Sequence, residues 1–91
     1  VEMIPLSVLD QTPIPEGVTP AQALANSIDL ACHCEALGYR RFWLAEHHAS
    51  QALAGSAPEI LIGAVANATS RIRVGSGGVM LPHYSPLKVA E

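Results

Sequence analysis

Three short apolar runs alternate with two longer segments of helical pattern along the chain. The runs at residues 4–9, 41–45 and 73–79 are rich in aliphatic residues and predict β-strands, and the segments 20–37 and 57–69 predict helices. No dipeptide typical of a hairpin turn separates any two strands, so each connection must pass through a helix. Strands joined in this way run parallel, and the sequence therefore predicts an α/β chain of βαβαβ order.

Capping residues mark where the predicted helices begin and end. Thr19 predicts the N-cap of the first helix, and Gly38 predicts its left-handed end. Ser56, followed three residues later by Glu59, predicts a capping box for the second helix. Residues 85–86 (Ser-Pro) begin a third helix close to the last residue of the chain. We therefore expect these residues to be the opening segment of a larger barrel.

Composition narrows the class of protein further. Hydrophobic residues make up 49% of the chain and charged residues only 14%, which suits a segment whose faces are covered by other elements. The net charge is −3 and no Lys/Arg cluster exists, which argues against nucleic-acid binding. No apolar run has the length of a membrane span, and residues 1–9 do not have the pattern of a signal peptide.

The two cysteines are separated by a single histidine on the first helix. Side chains of Cys32 and Cys34 point about 200° apart on a helix, so they can neither form a disulfide nor share a metal. We interpret both as small hydrophobic residues in a reducing compartment, which favours a cytoplasmic location.

The second helix is apolar nearly all round, although a helix on the outside of a domain needs a polar face. Gly63 and Ala64 would allow another helix to approach closely. Either a subunit interface or burial beneath a later part of the same chain explains this pattern, and periodicity does not separate the two.

The cluster Glu46-His47-His48 follows the second strand, at the end where parallel folds bind ligands. Histidine can move protons near neutral pH, and adjacent residues on an extended chain point to opposite sides. One histidine would then be the working residue, the other would support the loop, and Glu46 could orient either. A hydrogen-bonded surface pair is the alternative. A metal site with distant His83 is disfavoured, because adjacent histidines diverge.

The third strand contains three glycines, Gly75, Gly77 and Gly78, although glycine weakens a strand. Either a flat ligand presses on the backbone there, or the glycines allow tight packing against a neighbouring element. A dinucleotide-binding motif is excluded, because Met80 stands where its third glycine should be.

Taken together, these motifs resemble a known family. Residues 42–48 (Phe-Trp-Leu-Ala-Glu-His-His), 74–82 (Val-Gly-Ser-Gly-Gly-Val-Met-Leu-Pro) and 85–86 (Ser-Pro) resemble the bacterial luciferase-like flavin monooxygenases in order and spacing. The opening residues 9–17 are similar to a single-component-type subgroup of that family. The resemblance implies a (β/α)8 TIM barrel, in which residues 1–91 form the N-terminal part of a single domain.

The family also implies an activity and a set of site residues. Such enzymes use reduced FMN and dioxygen to oxidise a small organic substrate such as an aldehyde, and sister families use a deazaflavin. An NAD(P)H-flavin reductase is a possible partner, and helix 57–69 matches the family's dimer interface. The catalytic histidine corresponds to His47, while Ala45 and Glu46 match positions that line the isoalloxazine. Gly77 and Gly78 match a pair that packs behind the ring, joined in the family by a cis peptide bond.

Two other functions compete with this one. A metal-dependent hydrolase on the same barrel would place a metal ion at the histidine cluster. A non-catalytic dimerisation module would associate through the second helix and have no affinity for flavin.

Overall fold

A computed structural model describes residues 3–91; residues 1 and 2, which belong to the predicted domain 1–91, lie outside this description. The elements are β1 (Ser7–Asp10), α1 (Pro20–Ala36), β2 (Arg41–Leu44), α2 (Pro58–Ala68), β3 (Arg73–Ser76), a 3-10 turn (Leu81–His83) and α3 (Pro86–Ala90). This arrangement confirms the α/β class and the βαβαβ order. Among the described helices, none is long and apolar enough to cross a membrane.

The three strands form one parallel sheet, as predicted, and their order in the sheet is β1-β2-β3. Leu9, Trp43 and Gly75 lie side by side across it. β1 begins at Ser7, later than the predicted start, because Pro5 has no N–H group to contribute to a strand ladder.

The third strand is shorter than the predicted segment 73–79. β3 ends at Ser76, which pairs with Leu44, the last residue of β2. The N–H of Gly77 still donates to the Leu44 carbonyl at 2.8 Å. Beyond this bond β2 offers no further partner, and the chain therefore leaves the sheet.

The sequence predicts the two ends of α1 correctly and the start of α2 incorrectly. At α1, the Thr19 hydroxyl accepts the N–H of Gln22 at 3.1 Å, and Gly38 has a left-handed φ of +88°, so both predictions are confirmed. The capping box predicted for α2 from Ser56 is wrong. Ala57 is the N-cap and makes no side-chain cap bond, and the proline that follows removes one N–H that would need a partner.

Both helices pack on one face of the sheet and form a single core with it. The core consists of buried side chains from α1, β2, α2 and the residue before β3: Ala31, Cys34, Phe42, Leu44, Leu61, Val65 and Ile72. Both cysteines are free thiols, and Cys34 packs as a core residue whose pKa is raised by burial and by the nearby charge of Asp10. The opposite face leaves Leu9 57% exposed.

One carboxylate ties α1 to the turn between α2 and β3. Oε2 of Glu35 accepts the backbone N–H groups of Ser70, Arg71 and Ile72 at 2.9, 2.5 and 2.9 Å. Hydrogen bonds from Arg71, Ile72 and Ser70 outweigh the opposing effect of burial and lower the pKa of Glu35. The start of β3 is therefore held by a charged side chain from α1.

We predict that Glu35→Gln lowers the free energy of unfolding at pH 7, because an uncharged acceptor binds the three N–H groups more weakly. A carboxyl whose pKa is lowered on folding stabilises the protein above its ordinary pKa, here 4.5. The stabilisation is lost as pH falls through the lowered value. Urea unfolding of the full-length protein from pH 7 downward should show the wild-type advantage shrinking. Glu16→Gln, at an exposed loop position, is the control. An advantage independent of pH would contradict the assignment.

Candidate active site

The loops after β1 and β2 form a small antiparallel pair at the carboxyl end of the sheet. Pro13 and Leu53 face each other across a β-bridge. The N–H of Ala54 donates to the Thr12 carbonyl at 2.9 Å, and the N–H of Ile14 donates to the Ala52 carbonyl at 2.8 Å. These bonds give one wall of the candidate site a defined backbone.

Thr12 is strained within this wall. Its φ is +51°, a left-handed value that β-branched residues rarely adopt, and its side chain is fully buried. Its N–H donates to Oδ1 of Asp10 at 3.0 Å. Within residues 3–91, Oδ2 of Asp10 and Oγ1 of Thr12 are buried without a hydrogen-bond partner. Strain of this kind concentrates at functional sites, where the surrounding contacts maintain it.

The end of β2 sorts its side chains onto two faces. Burial alternates from residue 41 to residue 47: Phe42, Leu44 and Glu46 are buried, whereas Ala45 and His47 are half-buried. The buried set faces the helices, so His47 and Ala45 lie on the other face of the chain. The N–H of the His47 backbone donates to the Gly55 carbonyl at 2.9 Å. Within the described residues no hydrogen bond engages the His47 ring.

Glu46 lies on the helix side and uses both of its carboxylate oxygens. Its side chain is 1% exposed. Oε1 accepts the Tyr84 hydroxyl at 2.9 Å and the Met80 N–H at 3.3 Å, and Oε2 lies 2.5 Å from Nε2 of His48. Burial opposes ionisation, but these hydrogen bonds outweigh it and lower the pKa of Glu46. Of the two histidines, Glu46 therefore orients His48.

Tyr84 belongs to this group of side chains, although the sequence analysis did not single it out. Its hydroxyl lies 2.9 Å from Glu46 and 3.2 Å from Glu59 at the start of α2. Burial and these two carboxylates raise the pKa of Tyr84 to about 12. A tyrosine that follows a strand end, at the same edge as a glutamate, is the sequence feature that could have revealed it.

His83 packs against His48, with ring centroids 4.4 Å apart and a tilt of 58°. The structure therefore brings His48 and His83 together, as the alternative metal site required. Among residues 3–91, however, no group of three or more His, Cys, Asp or Glu side chains could hold a metal ion.

The three glycines of the predicted third strand have different surroundings. A Cβ at Gly75 would lie 2.8 Å from the Trp43 ring, and one at Gly77 would lie 2.8 Å from the tip of Leu9. Among residues 3–91, a Cβ at Gly78 would meet no atom within 4 Å. Tight packing thus accounts for Gly75 and Gly77, and only Gly78 borders open space.

The cis peptide bond expected between Gly77 and Gly78 is not found. All peptide bonds of the described residues are trans. Trans is the lower-energy form of any bond that does not precede proline. The Ser76 hydroxyl donates to the Gly78 carbonyl at 2.6 Å and holds this segment in place.

Comparisons with known proteins identify relatives of the chain. A family model described as luciferase-like monooxygenase matches residues 4–91. The N-acetyl-S-alkylcysteine monooxygenase of Bacillus subtilis is 56% identical over 89 residues, which cover 98% of this chain and 27% of that protein. The chain thus spans about a quarter of the length of the curated relatives it matches.

Two solved structures share the fold. Apo-MsnO8 superposes with a TM-score of 0.92 at 59% identity, covering 97% of this chain and 27% of that one. The oxygenating constituent of 3,6-diketocamphane monooxygenase from Pseudomonas putida, solved in complex with FMN, superposes with a TM-score of 0.83 at 27% identity. That match covers 97% of this chain and 24% of the other.

We predict that Gly75→Ala and Gly78→Ala differ in their effect on stability. Gly75→Ala forces the Trp43 ring to move and should cost about 1–3 kcal/mol of the free energy of unfolding. Gly78→Ala meets no atom and should stay within about 0.5 kcal/mol of wild type. Urea unfolding of the full-length variants checks both values. Equal losses at the two positions would contradict the packing described here.

Proposed function

Because the chain belongs to the luciferase-like monooxygenase family, we propose that the whole protein is a flavin-dependent monooxygenase. Residues 1–91 then form the N-terminal part of a single (β/α)8 barrel domain and supply its first three strands. The family match and the two structural neighbours support this assignment. The resemblance inferred from the sequence motifs is confirmed at the level of the family.

The observation that carries the proposal is the open space beside Gly78 at the same sheet edge as His47. A flat ring system fits a backbone surface from which no side chain projects. We assign Ala45, His47 and Gly78 to direct contact with the flavin, and Glu46 and Gly77 to contact through their backbone. Bound in its reduced form, FMN would supply the electrons and the atom that reacts with dioxygen.

FMN is favoured as the cofactor by the neighbour that was solved in complex with it. A deazaflavin is the alternative, and residues 3–91 contain no feature that prefers one ring over the other. We place the ligands of the phosphate group on later parts of the barrel, since residues 1–91 contain no cluster of basic side chains that would bind it.

His47 is the residue to which we assign proton transfer. Its backbone is anchored to Gly55, whereas its ring makes no hydrogen bond within the described residues. A ring held in this way can accept or donate a proton beside the cofactor. We assign this role to His47 and not to His48, because the hydrogen bond with Glu46 holds the His48 ring on the helix side of the chain.

The substrate that we propose is a small organic molecule such as an aldehyde, oxidised with dioxygen. An NAD(P)H-flavin reductase would supply the reduced cofactor. We place the protein in the cytoplasm, where two free thiols are stable and reduced cofactors are available.

We further propose a homodimer formed through residues 57–69, which include α2. One stripe of this helix faces away from the core, with Ile60 73% exposed and Gly63, Ala64 and Asn67 exposed beside it. The spacing of this stripe is that of one helix face, and its small residues permit close approach of a second helix.

We predict that His47→Ala strongly lowers turnover but leaves cofactor binding intact. Loss of a general acid–base group typically costs about 10²–10⁴-fold in rate. The measurement is substrate-dependent oxygen consumption by the full-length protein, with reduced FMN titrated separately. His33→Ala, at an exposed position on α1, is the control. An unchanged rate in His47→Ala would remove His47 from the mechanism.

We predict that Ala64→Arg breaks the dimer, because a long charged side chain would separate the two helices and lose its hydration. Size-exclusion chromatography with light scattering reads the oligomeric state of the full-length protein. Ala25→Arg, at an exposed position of α1, should leave the dimer intact. A stable Ala64→Arg dimer would exclude this helix face as the interface.

A further inference from the structure

We propose that Glu46 is a positioning residue. Together with Tyr84 it fixes the His48 ring and holds residues 79–84 against the end of β2, and its carboxylate does not touch the flavin. This inference rests on the proposed flavin site. It names the side chains that fix residues 79–84 relative to the end of β2.

Three donors converge on the Glu46 carboxylate. They are the Tyr84 hydroxyl, the Met80 N–H and Nε2 of His48, at 2.9, 3.3 and 2.5 Å. An ionised carboxylate only accepts hydrogen bonds, so it can satisfy all three donors at once. With 1% of its side chain exposed and both oxygens engaged, the Glu46 carboxylate has no free surface for a cofactor.

The first consequence concerns the His48 ring. Because Glu46 can only accept, Nε2 of His48 must carry a hydrogen, and the neutral ring is then confined to one tautomer. His83 packs against the same ring at 4.4 Å and limits its rotation. His48 is thereby held on the Glu46 side of the chain, whereas no hydrogen bond within residues 3–91 engages the His47 ring.

The second consequence concerns the segment that follows Gly78. Glu46 binds Met80 and Tyr84, which flank the 3-10 turn Leu81–His83. The turn is closed internally by the His83 N–H, which donates to the Met80 carbonyl at 2.9 Å. A segment anchored at both ends cannot slide. Glu46 therefore adds to the bonds of Gly77 and Ser76 in fixing Gly78, which precedes this segment, relative to His47.

Tyr84 has a single O–H and two nearby carboxylates, so only one can receive its hydrogen. Glu46 is the closer, at 2.9 Å against 3.2 Å for Glu59. Glu46 is also buried, whereas Glu59 is exposed and can be hydrated by water. The Tyr84 hydroxyl therefore donates its hydrogen to Glu46. Glu59→Gln serves as a matched control.

The test uses three variants of the full-length protein: Glu46→Gln, Tyr84→Phe and Glu59→Gln. Glutamine keeps the shape of Glu46 but replaces one acceptor oxygen with an amide donor. His48 must then change tautomer and accept this donor, or one of the three hydrogen bonds is lost. The first readout is the ¹⁵N NMR spectrum of the His48 ring without cofactor. The second is the kcat of the enzyme, compared with the Kd for reduced FMN.

We expect Glu46→Gln to lose the wild-type His48 tautomer and to lower kcat about tenfold or more, while the Kd for FMN changes less than about threefold. Tyr84→Phe should keep the tautomer and lower kcat by about three- to tenfold. Glu59→Gln should match wild type in every readout. Should Glu46→Gln not fold, Tyr84→Phe and Glu59→Gln decide the question by the same kcat comparison.

Two results would overturn the inference. One is an unchanged His48 spectrum and kcat in Glu46→Gln. The other is a Kd for FMN that weakens as much as kcat falls, which would mark Glu46 as a direct cofactor contact. Failure of the wild-type protein to bind reduced FMN would instead overturn the proposed function, and the NMR comparison would still decide whether Glu46 orients His48.

Discussion

Parallel pairing of the three strands is the constraint on which the rest of the structure depends. A parallel sheet places every carboxyl end at the same edge, and the shared register of β1, β2 and β3 aligns Asp10, Leu44 and Ser76 there. Side chains that lie far apart in sequence meet as a result. Glu46 reaches Tyr84 across 38 positions of the chain because both follow strands that end together.

Side chains along β2 alternate between two faces of the strand, and each face has a different role. The helix side carries Phe42 and Leu44 into the core and continues directly into Glu46. The other side carries Trp43 and Ala45 toward His47. β2 therefore connects the core to the candidate site. Because packing fixes its buried residues, it also fixes the positions and orientations of the residues that would contact a cofactor.

Local signals in the sequence were sufficient for the elements and for both ends of α1, and they failed where tertiary contacts decide. Thr19 and Gly38 act within one turn of the chain, so their roles could be predicted. The end of β3 at Ser76 depends on where its neighbour β2 stops, which no local pattern contains. Likewise, Glu46 pairs with His48 rather than with His47. Alternation of side chains along β2 places Glu46 on the helix side, where Tyr84 also donates to it.

The central claim is that this sheet edge forms part of a flavin site. Anaerobic titration of the full-length protein with reduced FMN tests it most directly, with wild type compared against Gly78→Leu, whose side chain would occupy the open space beside the backbone. We expect saturable binding of one flavin per wild-type chain and loss of that binding in a folded Gly78→Leu variant. Undiminished binding by the variant, or no saturable binding by folded wild type, would contradict it.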